Sequence, residues 1–307
     1  MATGQPLLAL VGPTASGKTN AGITLAGSLG AEICSVDSML VYRGMDIGTA
    51  KPTPEQRALV PHHLLDLAEP PERFTVARYQ AIGREAIAGI EARGLRPLLV
   101  GGSGLYFRAL ADDLRFPGED PSVRAELEAE AEAVGVGRLL LRLEDLDPVA
   151  AAKIEPGNVR RVVRALEVAA ITGSPFSSFA ADWERYDPSR VVVAGIAIEA
   201  QTLGARIVDR VAAMFAAGWL DEVRGLVERG CGAWLTSSQA IGYAELVRHL
   251  DGRLSLEEAW EGTVRRTKNL ARRQMAWFRR DPRVHWFEAG AGGAIEVVHD
   301  VLGSLAP

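Results

Sequence analysis

The stretch that decides the fold is a glycine-rich loop of eight residues, Gly12-Pro13-Thr14-Ala15-Ser16-Gly17-Lys18-Thr19. It matches GxxxxGK[ST], a pattern whose backbone N–H groups and lysine surround a polyphosphate. An apolar run, Pro6–Val11, precedes the loop, and a helix-compatible stretch, Thr19–Leu29, follows it directly. The motif requires a strand, a loop and a helix in this order. The sequence therefore predicts a diphosphate or triphosphate site and leaves the identity of the phosphate ester open.

The bulk composition excludes several classes of protein. With 307 residues, the chain is long enough for one large α/β domain or two modest ones. Its two cysteines, Cys34 and Cys231, are too few for a disulfide framework and form no zinc-binding pattern. The N-terminus lacks the basic and apolar regions of a secretory leader, and no apolar run reaches the length of a membrane span. We therefore expect a soluble, cytoplasmic protein that does not engage a membrane.

The charges are unevenly distributed along a chain whose formal net charge is −5. Six acids and one arginine lie between Glu119 and Glu132, as on a solvated helix. The stretch Arg265–Arg283 carries eight basic residues against the single acid Asp281 and includes aromatic residues. Basic residues beside aromatic ones suit a phosphate backbone, but an amphipathic helix with solvated arginines has the same composition. Both interpretations are open at this level.

Short apolar runs alternate with helix-like segments such as Val76–Arg93, which predicts a parallel sheet wound with helices. The runs are Leu7–Val11, Ile33–Val36, His63–Leu67, Pro97–Val100 and Val191–Ile198. After Ile198 the pattern is almost entirely helical through Arg280, followed by a short run, Val284–Phe287, and a last helix to Leu305. This alternation is typical of a P-loop α/β core.

A long helical stretch, from about Phe116 to Tyr186, interrupts the alternation. Its helical patterns cover Ser122–Val134, Pro148–Ile154 and Asn158–Thr172, and they are broken by Gly135, Pro156 and Gly173-Ser174-Pro175. The predicted fold class is therefore α/β, with a P-loop parallel-sheet core wound with helices and a helical insertion domain. The core comprises residues 1–115 and 187–307, including a helical C-terminal part, and the insertion comprises residues 116–186.

Asp37 ends the second apolar run, at the edge where open α/β sheets build their sites. A lone aspartate after a strand is usually a helix cap or a turn residue. Here a polar, glycine-punctuated stretch, Met39–Pro52, follows it and is too long for a simple crossover. Long loops of this kind are usually functional, so Asp37 is a candidate base or metal partner.

Several motifs together resemble the tRNA dimethylallyltransferase family, also called tRNA isopentenyltransferases, over nearly the whole chain. They are GPTASGKT (12–19), DSMLVYRGMDIGTAKP (37–52), GGSGLY (101–106), the stretch from Asn158 to Glu167 ending in RALE, Arg206-Ile207 with Arg210, QAIGY (239–243), and RRQ (272–274) with WFR (277–279). Two positions depart from the family pattern. Leu40 stands where members often carry glutamine, and Ser103 stands where they often carry threonine.

The resemblance implies transfer of a dimethylallyl group from dimethylallyl diphosphate to the exocyclic amine of the adenosine 3′-adjacent to the tRNA anticodon. The diphosphate would be held by Arg210 and the loop Gly12, Pro13, Thr14, Ala15, Ser16, Gly17, Lys18 and Thr19, with Mg²⁺ on Thr19. These cations would neutralise the charge that builds on the leaving group. Asp37 would accept the proton of the attacking amine, and Ser103 would orient the base.

The acceptor adenosine is stacked in the anticodon loop, so it has to be extruded, and a large basic surface has to hold the RNA. The resemblance places tRNA contacts on Asp37, Ser38, Met39, Leu40, Ser103, Arg124, Arg160, Arg161, Val162, Val163, Arg164, Gln239, Ala240, Ile241, Gly242, Tyr243, Ala244, Arg272, Arg273, Gln274, Trp277 and Arg279. Arg160 and Arg164 share a helical face, although Arg164 is also spaced to pair with Glu167. With these contacts we interpret Arg265–Arg283 as an RNA surface and expect a monomer that binds the anticodon stem-loop.

Two other enzyme classes share parts of this pattern. A nucleoside or small-molecule kinase has the same loop and fold, but it usually carries an acidic residue after a further strand, where this chain has Ala194-Gly195. An adenylate isopentenyltransferase would use the same donor on a free nucleotide and would leave the insertion and the basic stretch without a purpose. A non-catalytic RNA-binding protein would leave Lys18, Thr19 and Asp37 unexplained.

Overall fold

The computed structural model describes residues 5–112, 114–179, 183 and 185–305. The chain forms two compact units, one of residues 1–112 with 187–307 (unit 1) and one of residues 113–186 (unit 2). The helical insertion predicted at residues 116–186 falls within the range of unit 2. Each unit has its own hydrophobic core.

Unit 1 is built on a six-stranded sheet in the order β3-β2-β4-β1-β5-β6, in which every neighbouring pair is parallel. The strands are β1 (Leu7–Val11), β2 (Ala31–Val36), β3 (His62–His63), β4 (Arg96–Gly101), β5 (Val191–Ile198) and β6 (Val284–Ala289). Helices cover both faces of such a sheet, so central strands become continuous apolar runs rather than alternating ones. The predicted parallel α/β core is confirmed.

The helices of unit 1 follow the strands or fill the C-terminal part. They are α1 (Lys18–Leu29), α2 (Pro54–Leu59), α3 (Val76–Ala92), α4 (Gly104–Ala111), α9 (Ala200–Ala216), α10 (Trp219–Glu228), α11 (Tyr243–Leu250), α12 (Leu256–Phe278) and α13 (Val298–Leu305). Across the described part of the chain, each helix is too short or too polar to cross a lipid bilayer.

One predicted strand is mostly wrong. Of the run His63–Leu67, only His63 lies in the sheet, in the two-residue strand His62–His63, because Leu64 and Asp66 adopt left-handed backbone conformations with φ of 66° and 55°. The N–H groups of Asp66 and Leu67 donate to carbonyls at Leu40 and Val41 instead. An apolar run cannot reveal this, since the turn depends on partners elsewhere in the chain.

Unit 2 contains α5 (Pro121–Val134), α6 (Val136–Leu146), α7 (Pro148–Lys153) and α8 (Val159–Thr172). The sequence pattern does not predict helix α6, because a glycine such as Gly135 after a helical run usually marks a break. With φ of 82°, Gly135 ends one helix, and the next begins at the following residue. Apolar side chains from all four helices, with leucines of α5, α6 and α8 among them, form the core of this unit.

Candidate active site

The phosphate loop lies between β1 and α1, as its sequence predicts. Gly12 passes so close to β5 that a Cβ there would lie 2.8 Å from the carbonyl oxygen of Ile196. Three carbonyl oxygens of the loop accept hydrogen bonds from within the protein. Lys18 Nζ donates to the carbonyl of Pro13, Arg206 Nε to that of Ala15 at 2.9 Å, and Ala294 N to that of Ser16 at 2.7 Å. The N–H groups of the first turn of α1 have no partner within the helix, which leaves them for an anion.

Two side chains from distant elements hold this loop. Arg206 of α9 bonds to the loop at Ala15 and also to the carbonyl oxygen of Ala291, so it joins the loop to the C-terminal segment. Gln274 of α12 accepts the N–H of Thr14 at 2.8 Å. Sequence reasoning missed the supporting role of both residues, although Arg206 lies in a family motif and Gln274 was expected to contact tRNA. The Gln274 amide oxygen already accepts one hydrogen bond from the loop, and contact of Gln274 with tRNA stays a prediction.

Burial and neighbouring charges shift the pKa values of the two cations beside the loop. Burial, then the positive charge of Arg210, lowers the pKa of Lys18 to about 7, and the negative charge of Asp37 opposes this shift. Burial also lowers the pKa of Arg210, again against the charge of Asp37. The charges of Arg210 and Asp37 both act on Lys18, so the three predicted residues are electrostatic neighbours. Two neighbouring cations favour the binding of a multiply charged anion.

We expect the affinity for an unreactive diphosphate analogue to fall as pH rises above about 7, by up to about tenfold per pH unit. An anion raises the pKa of Lys18 in the complex, so the complex takes up a proton that the free protein loses near pH 7. Calorimetric titration at several pH values measures this dependence.

A Lys18→Arg variant provides the control, because a guanidinium stays charged throughout this range. The slope of log affinity against pH is compared between the two proteins. Because ionisation of the ligand contributes equally to both slopes, it cancels in their difference. Equal slopes in the two proteins would show that Lys18 does not titrate on binding.

Asp37 and Ser103 meet at the carboxyl ends of the neighbouring strands β2 and β4. The N–H of Ser103 donates to the carbonyl oxygen of Val36 at 3.1 Å, which fixes the start of α4 beside Asp37. The carboxylate of Asp37 accepts the N–H of Met39 at 2.8 Å. Ser103 occupies the N-cap of α4 without a capping bond from its hydroxyl. The two predicted catalytic residues therefore lie on adjacent strand ends, and both are half-buried.

Helix α12 lies across the GGSG turn that carries Ser103. A Cβ at Gly102 would lie 2.4 Å from the Gln274 amide nitrogen, and one at Gly104 would lie 2.0 Å from the indole of Trp277. Only glycine permits these approaches, which explains the composition of the turn. Trp277, 40% exposed, thus presents an aromatic surface next to Ser103.

The segment 239–244 is only partly accessible. Gln239 is exposed and Ile241 and Ala244 are half-buried, whereas Ala240, Gly242 and Tyr243 are buried. Tyr243 is fully buried and donates its hydroxyl to Glu222 at 2.6 Å. Its expected direct contact with tRNA is therefore wrong for the side chain, because the ring packs on Trp219 within unit 1.

The arginines of α12 separate onto two faces. Arg272 and Arg273 are consecutive, so they point about 100° apart. Arg272 and Arg279, with Lys268, line a groove of about 810 Å³ against α9. Gln274 and Trp277 lie on the side of the GGSG turn. Arg272, Arg273 and Arg279 are all exposed, and within the described residues no carboxylate pairs with any of them.

The predicted tRNA residues of unit 2 also differ in accessibility. Val162 and Val163 lie in the core, so their side chains do not contact RNA directly. Arg124 and Arg164 both pair with Glu167, which is fully buried. Arg160 and Arg161 are exposed, and the described ranges contain no carboxylate partner for them. Of the four arginines, these two are available for a phosphate backbone.

Known proteins resemble this chain over almost its whole length. The family profile described as IPP transferase matches residues 40–281, and the profile described as Isopentenyl transferase matches residues 5–61. A tRNA dimethylallyltransferase of Kineococcus radiotolerans is 51% identical over 94% of this chain and 92% of its own length. One of Streptomyces coelicolor is 49% identical over 95% of this chain and 93% of its own length.

The fold is also shared with a solved structure. The crystal structure of the full-length tRNA isopentenylpyrophosphate transferase of Bacillus halodurans is 42% identical and superposes with a TM-score of 0.70, covering 97% of this chain and 95% of that one. The phosphate loop with Asp37 and Arg210 beside it, the match to residues 40–281 and the near full-length relatives all agree. On these grounds the chain belongs to the IPP transferase family.

Proposed function

We propose that this protein transfers a dimethylallyl group from dimethylallyl diphosphate to the exocyclic amine of the adenosine 3′-adjacent to the anticodon of tRNA, and releases diphosphate. One observation carries the proposal. This chain combines a phosphate loop, with Asp37 and Arg210 beside it, with relatives of nearly equal length that are named tRNA dimethylallyltransferase. We further propose that it acts as a cytoplasmic monomer.

The loop and its cations bind the diphosphate of the donor. Lys18 and Arg210 contact the phosphate oxygens, together with N–H groups of the loop 12–19. These fixed positive groups stabilise the negative charge that develops on the diphosphate as the allylic C–O bond breaks. The N–H of Thr14 is engaged by Gln274, so Thr14 contributes its hydroxyl. Burial lowers the pKa of Lys18, and a bound anion raises that pKa again and so favours the charged form.

The residues fit a magnesium ion that is bound mainly through the substrate. Mg²⁺ takes few protein ligands when phosphates supply oxygens. In the described ranges no group of three or more His, Cys, Asp or Glu side chains could hold a metal by itself, and Thr19 offers a hydroxyl in the first turn of α1. Bound Mg²⁺ would supply further neutralisation of the departing diphosphate.

Asp37 accepts the proton from the amine as the new C–N bond forms. The lone pair of an exocyclic amine on adenine is delocalised into the ring, so a base that removes the proton during attack assists the reaction. Ser103 lies beside Asp37 and is available to hold the base edge with its hydroxyl. Trp277 next to Ser103 offers a stacking surface for a base that has left the anticodon stack.

The RNA is bound by exposed residues on each unit. On unit 2 these are Arg160 and Arg161, and on unit 1 they include Gln239 and the arginines of α12. The segment 37–40 provides the contacts nearest the acceptor base, and Leu40 changes those that a glutamine would make there. Arg124 and Arg164 contribute by fixing α5 and α8 around Glu167.

A direct assay separates this activity from the two enzyme alternatives. The protein is incubated with Mg²⁺, labelled dimethylallyl diphosphate and either tRNA or AMP, and the label is followed. Label on tRNA at the adenosine beside the anticodon is expected. Label on AMP alone would identify a free-nucleotide enzyme, and no label on either acceptor would contradict the proposal.

Replacing the α12 arginines singly is expected to flatten the salt dependence of tRNA binding. Each lost phosphate contact removes about 0.7–0.9 from the slope of log affinity against log salt. Because Arg272 and Arg279 share one face and Arg273 points elsewhere, Arg273→Ala and Arg272→Ala test the two faces separately. Filter binding or fluorescence anisotropy at several salt concentrations measures the slopes.

The matched control is Arg224→Ala, since Arg224 is an exposed arginine of α10 that already pairs with Asp221. Its slope should equal that of the wild type. A face whose variant keeps both the slope and the affinity of the wild type does not contact tRNA. If both Arg272→Ala and Arg273→Ala keep them, the basic stretch is only a solvated helix.

A further inference from the structure

The carboxylate of Glu222 organises a turn of main chain about 175 residues earlier. One carboxylate oxygen accepts the N–H groups of Asp46 at 2.9 Å and Ile47 at 2.8 Å, and the other lies 3.4 Å from the N–H of Gly48. Three successive N–H groups around one negative charge form an anion nest, which here is filled by a side chain. The acid lies in the first turn of α10.

The same carboxylate also holds Tyr243, at the start of α11. The hydroxyl donates to the second oxygen of Glu222 at 2.6 Å. Burial, followed by the negative charge of Glu222, raises the pKa of Tyr243 far above its usual value, so the hydroxyl stays protonated and remains a donor. Glu222 therefore connects two segments that are far apart in sequence.

The buried indole of Trp219 completes this connection. A Cβ at Gly48 would lie 2.1 Å from the indole nitrogen, and a Cβ at Gly242 would lie 1.8 Å from the far edge of the ring. The ring thus packs directly on both segments that Glu222 joins. Any movement of one segment displaces the ring against the other, since packed interiors leave little free space.

Both connected segments carry residues that the proposed function places against tRNA. Asp37–Leu40 begin the loop that also contains residues 46–48, and Lys51 holds that loop together by donating to Tyr42, Asp46 and Asp66. Tyr243 belongs to the segment 239–244, whose Gln239 and Ile241 are accessible. Within the described residues, neither Glu222 nor Trp219 makes a hydrogen bond or a ring contact to the phosphate loop.

We propose that Glu222 is a positioning residue, which fixes the loop that contains Asp37 relative to segment 239–244 and so presents the acceptor adenosine to the donor. The inference rests on the proposed function. It assigns to Glu222 no contact with substrate: the residue acts through the main chain at 46–48 and through Tyr243.

The critical variant is Glu222→Met, which keeps the length of the side chain and removes both acceptor oxygens. We expect kcat/KM for tRNA to fall about 10-fold to 100-fold, because a small misplacement of reacting groups carries a cost of that order. The affinity for an unreactive dimethylallyl diphosphate analogue should stay at the wild-type value. The unfolding midpoint is measured alongside.

Two further variants sharpen the comparison. Asp221→Met removes a negative charge from the same helical turn at an exposed position and should behave as wild type. Glu222→Gln can accept N–H groups with its carbonyl and donate to the Tyr243 oxygen, so its activity should lie between wild type and Glu222→Met. Wild-type activity in both Glu222→Gln and Glu222→Met would overturn the proposed link.

Hydrogen exchange tests the link without using activity. In Glu222→Met, the amides of residues 46–48 and those of segment 239–244 should both exchange faster, while those of the phosphate loop keep their rate. Faster exchange at 46–48 alone would overturn the coupling. A parallel loss of donor affinity and tRNA activity would reduce Glu222 to general support of the fold.

These outcomes are distinct from failure of the proposed function. If the wild-type protein labels no tRNA, the proposed reaction is wrong, and the exchange experiment still decides whether the two segments are linked. If the wild type labels tRNA and Glu222→Met does so equally well, the reaction stands and the positioning role is overturned.

Discussion

Lys18→Ala is expected to slow dimethylallyl transfer by about 10²–10³-fold, the usual result of removing one fixed donor from a developing negative charge. Lys18 is the half-buried cation of the phosphate loop, and because its pKa is lowered to about 7 a bound anion favours its charged form. The leaving diphosphate gains negative charge in the transition state, so the contact strengthens as the reaction proceeds. Single-turnover rates at saturating donor and tRNA measure the loss, and Arg210→Ala should show a loss of the same order.

The control for this experiment is tRNA binding, which does not involve the loop cation and should be unchanged in Lys18→Ala. The unfolding midpoint excludes a general loss of structure, because Lys18 also donates to Pro13 and Ser16 within the loop. Turnover within about threefold of wild type for both Lys18→Ala and Arg210→Ala would remove the cation clamp from the mechanism.

Asp37→Asn is expected to lower kcat by about 10²–10⁴-fold while tRNA affinity is retained, because general-base assistance contributes rate factors of that size. The side-chain oxygen of asparagine can still accept the N–H of Met39, so the loop keeps its local shape and only the basicity is lost. Rates at saturating tRNA, together with separate binding measurements, distinguish the two properties.

Asp209→Asn is a matched control, since Asp209 is an exposed acid adjacent to Arg210 on α9. The Asp209→Asn substitution makes the same change of charge, and we expect it to leave the rate unchanged. If Asp37→Asn instead turns over normally at saturating tRNA and binds tRNA poorly, Asp37 recognises the acceptor and another group takes its proton.

Much of the architecture is predictable because it depends on neighbours along the chain. Helix and strand patterns predicted α3 and β1 within one residue of their observed ends, and a buried parallel sheet followed from continuous apolar runs. The His63–Leu67 run was misassigned because Asp66 turns to bond with Leu40 and with Lys51. Helix α6 was missed because a single glycine can both end one helix and precede the next.

The sequence by itself determined the phosphate loop, since its glycines, lysine and threonine adopt their conformation from residues within the same short stretch. It also placed Asp37 at the end of β2, because parallel strands bring their carboxyl ends to one edge. Only the tertiary structure decided which side chains hold this machinery. Thr14 and Gln274 are 260 residues apart, and Gly48 and Glu222 are 174 apart. No local pattern encodes such pairs: they depend on how whole helices pack, and that packing also buries Tyr243.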